Sequence, residues 1–219
     1  MFYTRTGVPV KLGVRDSAGG CLRLLARERG QPLIEVRRAT AASWQDVAGL
    51  FTRPGPRGGI PVANQCWCRY WHTRGNAYWE GAGDDNRAAL ERQLRAGTAA
   101  ALLAYRDGEP VGWCRLGPRP SFERLAHART LAPVDDLPVW SVVCFYVAPA
   151  AKRQGVASAL LEAAVELARA EGAPALEAYA VRPGHPNIDA YTGYLPMFLA
   201  AGFAPVREGG RRTVVRKTL

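Results

Sequence analysis

No run of eighteen apolar residues occurs in the 219-residue chain, so a membrane-spanning helix is not expected. The segment Met1 to Val14 is polar and charged and lacks a secretory apolar region, which makes the cytoplasm the expected location. Cysteine is too sparse for a secreted disulfide framework. The count is odd, with Cys21, Cys66, Cys68, Cys114 and Cys144, and the last two fall inside predicted strands, so reduced, buried thiols are expected. Metal spacing is missing too. Cys66, Cys68 and His72 lie close together, but no second Cys-x-x-Cys or His pair completes a four-ligand set, and no metal is expected. Lysine is scarce, at three of 29 cations, which reflects genome composition and not chemistry. The net charge of +10 sits at the two ends of the chain, a basic surface that either attracts an acidic partner or keeps the protein soluble. Residues 1–40 hold eight Lys/Arg against three Asp/Glu, residues 203–219 five against one, and residues 41–202 sixteen against fifteen.

What is present is enough apolar sequence, 48%, for a sizeable core in one large domain with an extension. Residues 1–30 read either as a hairpin, Val8–Val14 against Cys21–Leu25 around a glycine-rich turn, or as a tail. Leu33–Arg38 alternates like a half-buried strand. Ser43 with Asp46 three residues on signals a helix start, and the prolines and glycines of 54–61 stop regular structure. Between Gln65 and Trp79 stand three tryptophans, two tyrosines, two cysteines and a histidine. Asp84 opens a helix to Gly97, with Leu90 and Leu94 inward and an Arg87–Glu91 pair outward. Thr98–Tyr105 and Val111–Leu116 form a hairpin about Asp107-Gly108. Residues 117–138 are a long loop with a single helical turn. Strands follow at Trp140–Val147 and Leu176–Val181, a helix at Tyr191–Ala201, and a last hairpin at Phe203–Val206 and Arg212–Arg216.

The organising stretch is Val142 to Ala157. An apolar strand ends at Val147-Ala148-Pro149, a turn carries Lys152, Arg153, Gln154 and Gly155, and a helix begins at Val156-Ala157-Ser158. The first amides of a helix lack partners and the dipole there is positive, so the turn is an anion cradle that Gly155 leaves open to a bulky ligand.

At these residues the chain resembles the GNAT acyltransferase superfamily, whose motif Arg/Gln-x-x-Gly-x-Gly/Ala appears here as Lys152-x-x-Gly155-x-Ala157. Lysine replaces the usual fork with a point charge. The resemblance extends to the Asp107-Gly108 hairpin and to Gly202-Phe203. It implies an α/β (α+β) fold, a mixed, mostly antiparallel sheet flanked by helices over residues 31–219, with residues 1–30 as an N-terminal hairpin or extension. It implies transfer of an acetyl group from acetyl-CoA to an amine of a small molecule, peptide or protein, by direct transfer in a ternary complex. Phe145, Tyr146, Val147 and residues Lys152 to Ser158 would hold the cofactor.

Trp67, Tyr70 and Trp71 fall where such proteins border the acceptor, either gripping substrate or plugging a loop. The usual strand glutamate is absent, Ser141 standing in its neighbourhood. Asp135, Asp136, Glu177 and His185 are the replacement bases. The tyrosine expected four residues before Gly202 is Phe198, so Tyr194 or Tyr191, one and two helical turns back, would protonate the thiolate, unless water does. Cys144 reads as an acyl-accepting nucleophile or as core. Other readings are a CoA-binding module without turnover and acetylation of an RNA-linked amine. Nucleic acid and membrane are not expected partners; a homodimer is common among similar proteins, and the sequence leaves the oligomeric state open.

Overall fold

The structure, a computed structural model, describes residues 11–12, 23–26, 33–55, 58–59, 61–184 and 190–219. Among these, nine strands form one sheet: β1 (Lys11–Leu12), β2 (Arg23–Ala26), β3 (Ile34–Arg38), β4 (Ala101–Arg106), β5 (Glu109–Pro118), β6 (Trp140–Val147), β7 (Ala175–Val181), β8 (Ala204–Gly209) and β9 (Arg212–Thr218). Their order is β1-β2-β3-β4-β5-β6-β7-β9-β8. Each neighbouring pair is antiparallel except β6 with β7. The fold is therefore the mixed, mostly antiparallel α/β sheet expected from the resemblance.

The helices are α1 (Trp44–Thr52), α2 (Ala63–Cys66), α3 (Ala77–Glu80), α4 (Asp84–Arg95), α5 (Glu123–His127), α6 (Val156–Ala170) and α7 (Leu195–Ala200). On one face Phe51 of α1 meets the rings of Trp113, Tyr146 and Trp67. On the other face α6 packs across β3 to β7. Its apolar stripe, Val156, Leu160, Ala164 and Ala168, is buried as its helical period requires. Gly112 makes this approach possible: a Cβ there would lie 2.6 Å from Val156 Cγ1 and 3.0 Å from Leu160 Cδ1. A glycine inside a strand pattern is the sequence trace of such an approach.

Asp107 and Gly108 both take positive φ, 51° and 81°, the conformation of a type I′ hairpin turn. Several local expectations need correction. Ser43 makes no side-chain cap to α1, and Asp46 accepts the Tyr105 hydroxyl at 2.7 Å instead. Glu91 pairs with Arg95, not Arg87, whose guanidinium lies over Trp44 and Trp67. Residues 191–201 are not one helix. A 3-10 turn at Ala190–Thr192 is separated from α7 by Gly193 at φ 90°, because Tyr194 is extended and bridges Val181. Residues 63–80, read as irregular, hold α2, a 3-10 turn and α3.

Candidate functional site

β6 and β7 pair only from Trp140↔Leu176 to Val142↔Ala178, although both strands continue. The cause lies on the other edge of β6. Arg115 is opposite Cys144 and Leu116 opposite Val142, so Val143 is an extra residue. A bulge bends its strand, and here it carries β6 away from β7. Ala148 donates its amide to Val111 O at 2.9 Å across β5. Main-chain direction alternates along a strand, so the amides of Val147 and Phe145 face the gap.

The gap leads to the β6–α6 turn. Gly155 is the N-cap residue of α6 at φ 77°, and no side chain caps the helix. Arg153 also has positive φ, 60°, and with Lys152 it is exposed. Gln154 ties the turn down by donating to Ala150 O at 2.9 Å. A cavity of about 510 Å³ adjoins the turn, bordered by Arg53, Arg106, Val111 and Ala148–Ala151. The buried Tyr146 hydroxyl has no partner among the described residues. Open amides, a positive helix end, flanking cations and an orphan hydroxyl fit a long phosphate ester.

Residues 64–194 match the model of the acetyltransferase (GNAT) family. The chain belongs to this family. It is an N-acetyltransferase whose cosubstrate is acetyl-CoA. Among solved structures it is similar to the PaiA N-acetyltransferase of Thermoplasma acidophilum, solved with coenzyme A, at 12% identity and TM-score 0.50, covering 85% of this chain and 99% of that one. It is similar to a GNAT acetyltransferase of Listeria monocytogenes at 12% identity and TM-score 0.54, covering 87% and 97%. It is also similar to the Drosophila melanogaster polyamine N-acetyltransferase, which forms N-acetylagmatine, at 14% identity and TM-score 0.50, covering 85% and 100%. At these identities the likeness is one of fold. No match was found among curated proteins.

The remaining sequence candidates scatter. Tyr191 is half-buried in the 3-10 turn that packs on β6, and its hydroxyl pKa is raised, by burial first and then by Cys144, Tyr146 and Cys66. Tyr194 sits instead at the start of α7, its backbone on Val181. Phe198 is fully buried against Phe145 and Phe203. Trp67 is 1% exposed and packed on Trp44 and Phe51. Tyr70 and Trp71 meet edge to face and line a second cavity. Burial pushes the Cys114 thiol up, and Cys144 is pushed up by its bond to Cys68 and then by burial, which disfavours a nucleophilic thiolate at either.

Glu177 is 1% exposed and takes two bonds from Arg216, at 2.7 and 3.0 Å. Asp135 is held by the same guanidinium, which keeps its carboxyl below the usual range. Asp136 is exposed, and His185 lies outside the described residues. Ser141 is fully buried and bonds the Tyr179 hydroxyl at 2.8 Å, to which Arg119 donates at 2.6 Å. Burial first raises Tyr179, to about 12. Neither Arg119 nor Tyr179 carried a sequence signal, because their partnership joins the 3-10 turn after β5 to β7, 60 residues on. His72 was weighed only as a metal ligand. Its Nδ1 is 3.1 Å from Ser121 O, its Nε2 is buried without a partner among the described residues, and burial first, then Arg115 and Arg69, lowers its pKa to about 3.

Proposed function

We propose that the chain transfers acetyl from acetyl-CoA to a small-molecule amine directly, within a ternary complex, with residues 31–219 as the catalytic unit and residues 1–30 as an appendage. The observation that carries this reading is the open edge of β6 running into the uncapped start of α6. The turn from Lys152 to Ser158 receives the phosphates, and Tyr146 Oη and the Val147 amide receive groups nearer the thioester. The Phe145 amide faces the carbonyl oxygen, where fixed dipoles meet the charge that develops on attack.

The amine nitrogen forms its bond to the carbonyl carbon as the carbon–sulfur bond breaks. Tyr191 gives its proton to the departing sulfur and regains one from the new amide nitrogen, which leaves a neutral amide and a free thiol. Tyr191 is favoured because the 3-10 turn that carries it packs on β6 and because its hydroxyl pKa is raised, by burial first. Glu177 enters as the anion that holds Arg216 through Oε1, with Arg119 Nη1 at 3.8 Å from Oε2. Trp67 supports the wall from behind, and Tyr70 and Trp71 face the acceptor.

Calorimetry with CoA and a thiol-release assay over an amine panel test this reading. Micromolar binding and turnover are expected. Turnover by Y191F at the wild-type rate would remove Tyr191 from the scheme, and absence of CoA binding would remove the whole of it.

A further inference from the structure

The second cavity, about 300 Å³, is lined by Tyr70, Trp71, Arg74, Arg124, His127 and Arg212 among others, and no carboxylate of the described residues is part of its wall. Guanidinium groups that meet acids include Arg38 with Glu171, Arg53 with Glu109, Arg182 with Glu208 and Arg216 with Asp135. Arg124 is held differently. It lies over the Tyr70 ring, 4.1 Å from the centroid, and among the described residues spends only Nε, at 2.6 Å, on Tyr70 O. Its orientation is thus fixed while its terminal nitrogens are left for a ligand. That planar fork matches a carboxylate or a phosphonate.

A second observation points the same way. Arg115, 3% exposed on the same face, bonds only Gln93 Oε1, and its Nε and Nη1 have no partner among the described residues. Arg115 and Arg69 both act on His72, whose imidazole is held neutral by burial first and then by these two cations. Packing ties the cavity to the reaction centre. Tyr70 meets Tyr78 at 5.5 Å between centroids, and Trp71 shares one apolar cluster with Val143 and Cys144 of β6, the strand on which the Tyr191 turn packs.

We propose that the acceptor is a small amine bearing its own acidic group, a carboxylate or a phosphonate, clamped by Arg124 and Arg74. The inference rests on the transferase reading. It also answers the missing strand carboxylate. The arginine field destabilises an ammonium, so the acceptor reaches its neutral form without a glutamate beside it. A diamine or agmatine brings a second cation to these walls and is repelled.

The test compares acceptors built on one three-carbon spacer: propylamine, 4-aminobutyrate, 3-aminopropylphosphonate and 1,3-diaminopropane, each with acetyl-CoA and thiol release as readout. The acid-bearing amines are expected to exceed propylamine in kcat/KM by roughly ten- to hundredfold, the worth of charge-assisted hydrogen bonds. The diamine should be slowest. Whichever of 4-aminobutyrate and 3-aminopropylphosphonate is faster identifies the acid. R124Q and R74Q should each erase most of the preference while the KM for acetyl-CoA stays constant. A diamine preference, or one untouched in the double variant, overturns the assignment. If no amine is acetylated, saturable calorimetric binding of 3-aminopropylphosphonate that R124Q abolishes would keep the pocket and discard the transfer reading. Absence of that binding would discard the pocket.

Discussion

The two halves of the site are built on opposite plans. The cofactor half is backbone: strand amides turned into a gap, a glycine at φ 77° and a helix start that no side chain caps. The acceptor half we propose is side chain: Tyr70, Trp71, Arg74, Arg124 and Arg212, brought from three separate stretches. Main-chain recognition depends on conformation, so it tolerates change in most side chains but not in the glycines. Side-chain recognition has the reverse sensitivity. That contrast explains how one scaffold keeps a common cosubstrate while acceptors differ.

The sharpest way to break the contrast is at Gly155. G155L should cost more than about a hundredfold in CoA affinity, since a side chain there both strains a positive φ and fills the phosphate cradle. Calorimetry reads this directly, and near-normal binding would show that side chains and not backbone hold the cosubstrate. Next in size is Y191F. Loss of a positioned acid should lower kcat by about ten- to a hundredfold with the KM for acetyl-CoA unchanged, and the sequence alternative Y194F should change kcat little.

A third experiment uses acidity to probe the electropositive interior. His72 is depressed to about 3 in the fold. The unfolded chain takes up its proton near pH ~6.5, so stability falls as pH drops below that value and stops falling through this group once pH passes below about 3. Between pH 7 and pH 5 the loss should be about 2 kcal/mol, read from urea midpoints, and H72Q should show much less of it. An equal acid loss in H72Q would mean that burial does not hold His72 neutral in the fold. The smallest effect belongs to the outer surface. E91A removes an exposed i,i+4 pair with Arg95 and should cost no more than about 0.5 kcal/mol, without effect on either substrate.

The cofactor half was readable because its determinants are contiguous. Val147 to Ala157 contains strand end, turn and helix start within eleven residues, and each residue type has a local conformational reason to be there. The hairpin at Asp107-Gly108 and the stripe on α6 were readable for the same reason. What failed did so where tertiary contacts outbid local ones. Asp46 left the helix start for Tyr105, and Arg87 left Glu91 for two indoles. Tyr194 and Phe198 were placed on one helix by counting. Gly193 breaks that helix, because only glycine fits at φ 90° with Phe198 carbons 2.8 Å from where a Cβ would lie.

By itself the sequence determined the family, the mixed, mostly antiparallel sheet it implies and the strand–turn–helix from Val142 to Ala157, since these follow from residue types in fixed local spacing. Only the tertiary structure decided that Glu177 is buried under Arg216, that Tyr191 stands beside the open strand, and that arginines from remote segments face one cavity. The reason is physical. A bulge of a single residue at Val143 opens the sheet, and what lines the opening is set by chain crossings that no local pattern encodes.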